Sequence, residues 1–274
     1  MTILRVFPRR TAATPTDPLA YVGDPPMFVP ADATEVHVSV TFTWDRAEGE
    51  RLADAWSVVG LPVQIGGPAY DQPGGEFVPG RYLGAGYTIT SRGCPNRCWF
   101  CSVPKREPGL RTLPIRAGWI VQDDNLLACP PAHVQAVFAM LHQQPRRAEL
   151  RGLEAKALKP WHVALLADLR PSLTYFAYDT PDDLAPLRAA GAMLFDAGFH
   201  KTTHGLCAYV LVGYPGDTLP AAEQRMFETW DAGFFPFAML HRDQRGDTNP
   251  KWRQFQRLWT RPAIVASTLA KERP

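Results

Sequence analysis

The sequence predicts an α/β protein organised around parallel strands. From about Gly86 onward β-rich runs alternate with amphipathic helices, and each run ends in a polar or glycine-bearing turn. Residues 1–85 show a strand–helix–strand pattern on a smaller scale, and a helical segment closes the chain after residue 241. Strands separated by helices pair in parallel through right-handed crossovers. Periodicity alone fits a doubly wound sheet as well as a barrel.

Met-Thr-Ile-Leu-Arg-Val-Phe-Pro-Arg-Arg at the N-terminus reads as a strand ending in a basic turn. Residues 35–42 alternate Val36, Val38 and Val40 as a strand, 45–59 are helical, and 63–68 make a strand with a Gly-rich turn. Residues 87–90 are a short strand leading into Ser91-Arg92-Gly93, and 119–122 are a second, ending at Asp123-Asp124-Asn125. Pro130-Pro131 then opens a helix with Val134, Val137, Phe138 and Leu141 on one face. Residues 148–151 form a third strand that ends at Gly152-Leu153-Glu154. The helix after it runs through Trp161, Leu165, Leu166 and Leu169 and is stopped by Pro171. The fourth strand covers 174–178. Asp179 follows, with Thr180 as N-cap, Pro181 in the first turn, and Asp182 and Asp183 at the helix's positive end. Leu206–Val212 is the fifth strand, Gly213-Tyr214-Pro215-Gly216-Asp217-Thr218 its turn, and 234–240 the sixth. In parallel α/β folds ligands sit beyond the carboxyl ends of the strands, where each of these polar segments falls.

Composition bounds the function classes. A chain of 274 residues with 46% apolar residues buries one sizeable core with a small appended domain. No apolar run reaches the length that spans a bilayer, so no membrane partner is expected. The N-terminus lacks the apolar core and cleavage site of a signal peptide, which predicts a reduced, cytoplasmic location. A net charge of +2 neither demands nor excludes a polyanionic partner.

The chemistry concentrates in Cys94-Pro-Asn-Arg-Cys98-Trp-Phe-Cys101, a C-x3-C-x2-C loop. Structural zinc closes with four ligands, whereas Cys129 and Cys207 are isolated and no histidine falls between Cys101 and Cys129. Three close cysteines cannot all pair as disulfides. Three thiolates can instead hold three irons of a [4Fe–4S] cube and leave the fourth open to a small molecule.

This loop resembles the signature loop of the radical S-adenosylmethionine (radical SAM) superfamily, over about residues 86–240. The resemblance implies a partial (β/α)6 barrel. It also implies a [4Fe–4S] cluster on Cys94, Cys98 and Cys101, and S-adenosylmethionine chelated at the open iron and cleaved reductively to a 5′-deoxyadenosyl radical. Phe100 matches the position that packs on adenine. Asp123-Asp124-Asn125 resembles the segment that replaces the G-G-E motif in several branches, where a carboxylate accepts from the SAM amino group. Glu154 and Asp179 stand where ribose or methionyl contacts are made. Gly213-Tyr214-Pro215 resembles the start of the G-x-P-G segment whose backbone meets adenine. An external one-electron reductant such as flavodoxin or ferredoxin is implied as a partner. Residues 1–85 resemble a shortened Rossmann-like domain of the cobalamin-dependent members. The D-x-H-x-x-G loop that ligates cobalt is missing, because His37 sits in mid-strand with no such flanks, so no cobalamin is expected.

Other residues divide between roles. Arg97 and Lys105 put positive charge near the cysteines, where they favour a reduced cluster or simply solvate the loop. Cys129 and Cys207 are hydrogen-atom donors if they face the cavity, and otherwise buried small hydrophobes. His162, His200 and His204 form no metal-ligand spacing. Trp252, Phe255 and Trp259 follow helical spacing among Arg242, Arg245, Lys251, Arg253, Arg257 and Arg261. The segment is therefore a core-packed helix with a solvated face, or a basic surface for nucleic acid. The expected function is a radical SAM enzyme abstracting hydrogen from a small-molecule or nucleobase substrate. The alternatives are a tailoring enzyme or isomerase of a modified nucleobase in DNA or nucleosides, a non-catalytic Fe–S electron carrier, and a zinc-stabilised nucleic-acid-binding module.

Overall fold

The computed structural model describes residues 2–200, 205–243, 245–246 and 249–272 and is mixed α/β with parallel sheets. The chain divides into two compact units, Met1–Gly118 with Gln244–Gly246, and Trp119–Asp243 with Asp247–Pro274.

In the first unit, β1 (Thr2–Phe7), β2 (Ala20–Val22), β3 (Ala33–Ser39) and β4 (Val63–Gly66) form a parallel sheet of order β2-β1-β3-β4. β2 carries no alternation and is too short to read from sequence. α1 (Arg46–Ser57) crosses one face, burying Leu52 and Trp56 against Leu4, Val6, Val36, Val38 and Val40. The strand period of two sends Ile3, Arg5, Glu35 and His37 to the opposite face, in the register Ile3↔Glu35 and Arg5↔His37. That face is polar. Arg5 donates from Nη1 to the carbonyls of Gly80 (2.8 Å) and Arg81 (3.2 Å) and pairs with Asp17. His37 meets the Tyr82 hydroxyl through Nδ1 at 2.5 Å, and its Nε2 lies 3.1 Å from Glu35. Beyond the sheet come β5 (Tyr87–Thr88), then β6 (Ser91–Arg92) paired antiparallel with β7 (Arg111–Thr112), and between these two the short helix α2 (Val103–Arg106).

In the second unit five parallel strands lie side by side in sequence order. They are β8 (Ile120–Val121), β9 (Glu149–Leu150), β10 (Leu173–Tyr178), β11 (Leu206–Val212) and β12 (Phe235–Leu240). The crossovers are α3 (Pro131–His142), α4 (Pro160–Leu169), α5 (Leu184–Asp196) and α6 (Leu219–Asp231). The apolar stripe of α3, Val134, Val137, Phe138 and Leu141, is the buried one, as its spacing required. α7 (Pro250–Trp259) and α8 (Pro262–Glu272) close the chain, separated where Pro262 opens a new helix.

Two positions show how tightly this unit is packed. Gly191 on α5 runs against the α6–β12 turn, so that a Cβ there would stand 1.7 Å from the Ala232 carbonyl oxygen. His162 is fully buried at the start of α4, where its Nδ1 accepts the Lys159 backbone N–H at 3.1 Å. Burial, aided by the Lys159 charge, pushes its pKa down to about 4. Gly191→Ala is expected to destabilise the protein by about 2 kcal/mol or more, measured by urea unfolding, because backbone rather than side chain must give way. His162 stays neutral in the native state while the unfolded chain takes up a proton below about pH 6.5. Native stability should therefore fall as pH drops from about 6.5 to 4. His162→Gln, which keeps an acceptor for Lys159, should lose that part of the slope in thermal melts across this range.

Candidate functional site

The cysteine loop is closed at its base by the β6–β7 pair. Gly93 has φ +84°, and a Cβ there would lie 2.1 Å from the Gly109 carbonyl oxygen, so the two ends of the loop touch only because this residue is glycine. Cys94, Cys98 and Cys101 are half-buried thiols. Cys94 Sγ accepts the Asn96 N–H and Cys101 Sγ accepts the Val103 N–H, each at 3.4 Å, and Cys101 N–H closes a turn on the Cys98 carbonyl at 3.1 Å. Behind the loop the buried Glu107 carboxylate accepts from Gly74 N–H (2.8 Å) and Arg111 (3.3 Å), anchoring α2 to the segment before β5. Phe100 is half-buried and stands edge-to-face on Trp99, at 5.4 Å between centroids; Trp99 itself is 59% exposed. Arg97 and Lys105 are exposed.

Among the described residues, no three His, Cys, Asp or Glu side chains gather closely enough to chelate a single metal ion. The donor set still suits an iron–sulfur cube. Each thiolate of a cube binds a different iron, and backbone N–H groups already point at two of the sulfurs, as hydrogen bonds to cluster sulfurs do.

In the second unit the expected residues stand at consecutive strand ends. After β8, Asp123 and Asn125 are buried and Asp124 is half-buried. The loop leaving β9 presses on them, since a Cβ on Gly152 (φ +74°) would meet the Asp123 carbonyl at 2.5 Å. Glu154 follows, accepting the Lys156 N–H at 3.3 Å. Burial raises its pKa, and the Asp183 charge adds to the rise. Asp179 follows β10. Burial raises its pKa to about 7, with Asp183 and Glu154 repelling the charged form and the Leu211 N–H opposing the shift. Burial also works against ionisation of Asp183, but Lys156 at 2.5 Å and Thr180 outweigh it and hold that carboxyl below the usual range. Glu154, Asp179, Asp183 and Lys156 thus form one electrostatic group. Sequence reasoning treated Asp183 only as a helix-dipole residue and missed Lys156 altogether. The signal was available in Thr180-x-x-Asp183, a capping box that turns the acid back onto the strand end.

The turn after β11 is locked from beneath. Gly213 N–H donates to Asp217 (2.8 Å), Arg225 binds Asp217 (2.7 Å) and the Leu211 carbonyl (3.0 Å), and the Arg225 guanidinium lies 5.2 Å from the Tyr214 ring centre. With His241, Asn249 and Trp252, the residues Gly213, Tyr214 and Pro215 border a cavity of about 310 Å³. Buried Arg225 is another residue that sequence reading passed over.

Cys129 and Cys207 are buried, and burial pushes the Cys207 thiol up to about 12, so it stays protonated. His200 packs edge-on against Phe195 at 5.3 Å, whereas His204 lies outside the described residues. Phe255 and Trp259 are core residues of α7, and Lys251, Arg253, Arg257 and Arg261 are exposed. No described helix is long and apolar enough to cross a membrane.

No protein-family model matches this chain, and no curated protein matches it.

The raised pKa of Asp179 has a measurable consequence. Between about pH 4 and 7 the native carboxyl holds a proton that the unfolded chain has lost, so this group withdraws stability as pH rises through that window. Asp179→Asn should match the wild type near pH 4 and melt progressively higher than it toward pH 7, with no further gain above.

Proposed function

We propose that the protein is a radical SAM enzyme acting on a small-molecule or nucleobase substrate. The observation that carries this reading is the C-x3-C-x2-C loop of half-buried thiols, two of them already accepting backbone N–H groups. Cys94, Cys98 and Cys101 would hold a [4Fe–4S] cluster. When bound, such a cluster supplies the electron that cleaves S-adenosylmethionine and so yields the hydrogen-abstracting radical. Phe100 offers an aromatic face beside the last cysteine. Asp123 or Asp124, oriented with Asn125, would accept from the SAM amino group, a charge-assisted contact. Glu154 and Asp179 would receive hydroxyl or ammonium donors. Asp179, with a pKa near 7, can accept such a bond when ionised and donate one when protonated. Gly213, Tyr214 and Pro215 offer backbone groups and a ring edge at the small cavity. The unreversed strand order β8 to β12 supports a partial barrel over a doubly wound sheet, whose order turns back at a switch point.

The exposed cations of α7, a helix with no acidic residue, favour a polyanionic substrate such as a nucleic acid over a cationic one. A cluster serving only electron transfer is the competing reading, but it leaves the strand-end carboxylates without a task.

Anaerobic reconstitution with iron and sulfide, followed by S-adenosylmethionine and dithionite, tests the proposal. The wild type is expected to release 5′-deoxyadenosine, detected by mass spectrometry, and Cys98→Ala to release none. A protein that retains zinc and takes up no iron, or a fully loaded protein that neither binds nor cleaves S-adenosylmethionine, overturns it.

A further inference from the structure

The polar face of the N-terminal sheet breaks the rule that a central parallel strand carries apolar residues on both sides. Arg5, in β1 with β2 and β3 on either side, is only 7% exposed. Burying a guanidinium is costly unless its donors are satisfied. Two carbonyls and the Asp17 carboxylate engage Nη1 and Nη2, while Nε is buried without a partner, and the contact also fastens the Gly80–Arg81 backbone over the sheet. Beside this anchor lies a solvent-open cavity of about 500 Å³. Ile3, Pro79 and Ala85 give it apolar walls, and Arg5, Asp17 and Arg81 give it charge. None of these residues belongs to the cysteine loop.

The charges do not cancel. Asp17 is engaged by Arg5, whereas the Arg81 guanidinium enters no ion pair or side-chain hydrogen bond among the described residues. The Arg81 backbone is nevertheless held, because its carbonyl is one of the acceptors of Arg5. Arg81, an exposed residue whose backbone is held, therefore borders this partly apolar cavity with a guanidinium that has no ion-pair partner among the described residues.

We propose that this cavity is a ligand site of the N-terminal unit and takes a small organic oxyanion. The carboxylate or phosphate of the ligand pairs with Arg81, the planar fork that suits both groups, and its apolar body rests on Ile3, Pro79 and Ala85. Arg5 is a positioning residue that fixes the wall and does not contact the ligand.

Isothermal titration calorimetry with benzoate and with phenyl phosphate tests this, with benzyl alcohol as the uncharged control. The full chain is used without iron reconstitution, so the result is independent of the cysteine loop. At least one acid should bind with a Kd of about 1 mM or tighter, and the two titrations tell carboxylate from phosphate. Arg81→Gln should weaken that binding about tenfold or more. Ala85→Phe, which fills the cavity from an exposed position, should weaken it comparably while Arg81 remains; melting curves report whether each variant stays folded. The proposal is overturned if neither acid binds, if both variants bind as the wild type does, or if benzyl alcohol binds as tightly as the acids.

Discussion

Parallel pairing is the constraint from which the candidate site of the second unit follows. When every strand of a sheet runs the same way, each must be reached by a crossover, and all the carboxyl ends emerge along one edge. Asp123, Asp124, Asn125, Glu154, Asp179 and the Gly213 turn are scattered over ninety residues of sequence but begin consecutive loops along that edge. Besides the Lys156–Asp183 ion pair, backbone groups join these loops. Gly152 leaves no room for a side chain above the Asp123 carbonyl, and Asp179 receives the Leu211 N–H from the next strand. A shift in register at any one of these strands would displace its neighbour's polar residue as well as its own.

Gathering acids at one edge has an electrostatic cost, and it is distributed unevenly. Asp183 takes the available cation, Lys156, and stays ionised. Glu154 and Asp179 are left with desolvation and the repulsion of the Asp183 charge, to which Glu154 adds at Asp179, and their pKa values rise. The asymmetry gives carboxyls of similar intrinsic acidity different tasks. Asp183 holds the loop in place, while Asp179 is poised near neutrality and gains most from a cationic or hydroxyl-bearing ligand that would favour its charged form. Perturbed carboxyls of this kind cluster where ligands bind, although structural networks produce them too.

Much of this was legible in the sequence, and the parts that were not share a cause. Periodicity located α3, α4, β10 and β11 closely, because an apolar stripe or alternation records which face is buried. The strand-end residues were legible because each follows a β-rich run directly. The partners were not: Lys156, Asp183 and Arg225 act across loops, and nothing local in the sequence encodes a distance of 2.5 Å between residues 156 and 183. The polar second face of the N-terminal sheet was half legible. Glu35 and His37 alternate with buried valines, but Arg5 reads as an ordinary charged residue until Gly80, Arg81 and Asp17 are seen to surround it. β2 depends entirely on pairing with β1.

The cysteine loop repeats one local geometry at its two ends. Asn96 donates to Cys94, and Val103 to Cys101. In both cases the amide lies two residues beyond the sulfur, so the same tight turn recurs at each end of the motif. It presents each of the two sulfurs with a backbone N–H donor. Gly93 and Gly109 bring the loop's ends together, and the buried Glu107 ties α2 to the rigid segment behind it. These contacts hold the backbone at both ends of the loop and behind α2. Replacing Gly93 would leave every cysteine in the sequence intact and still destroy that arrangement.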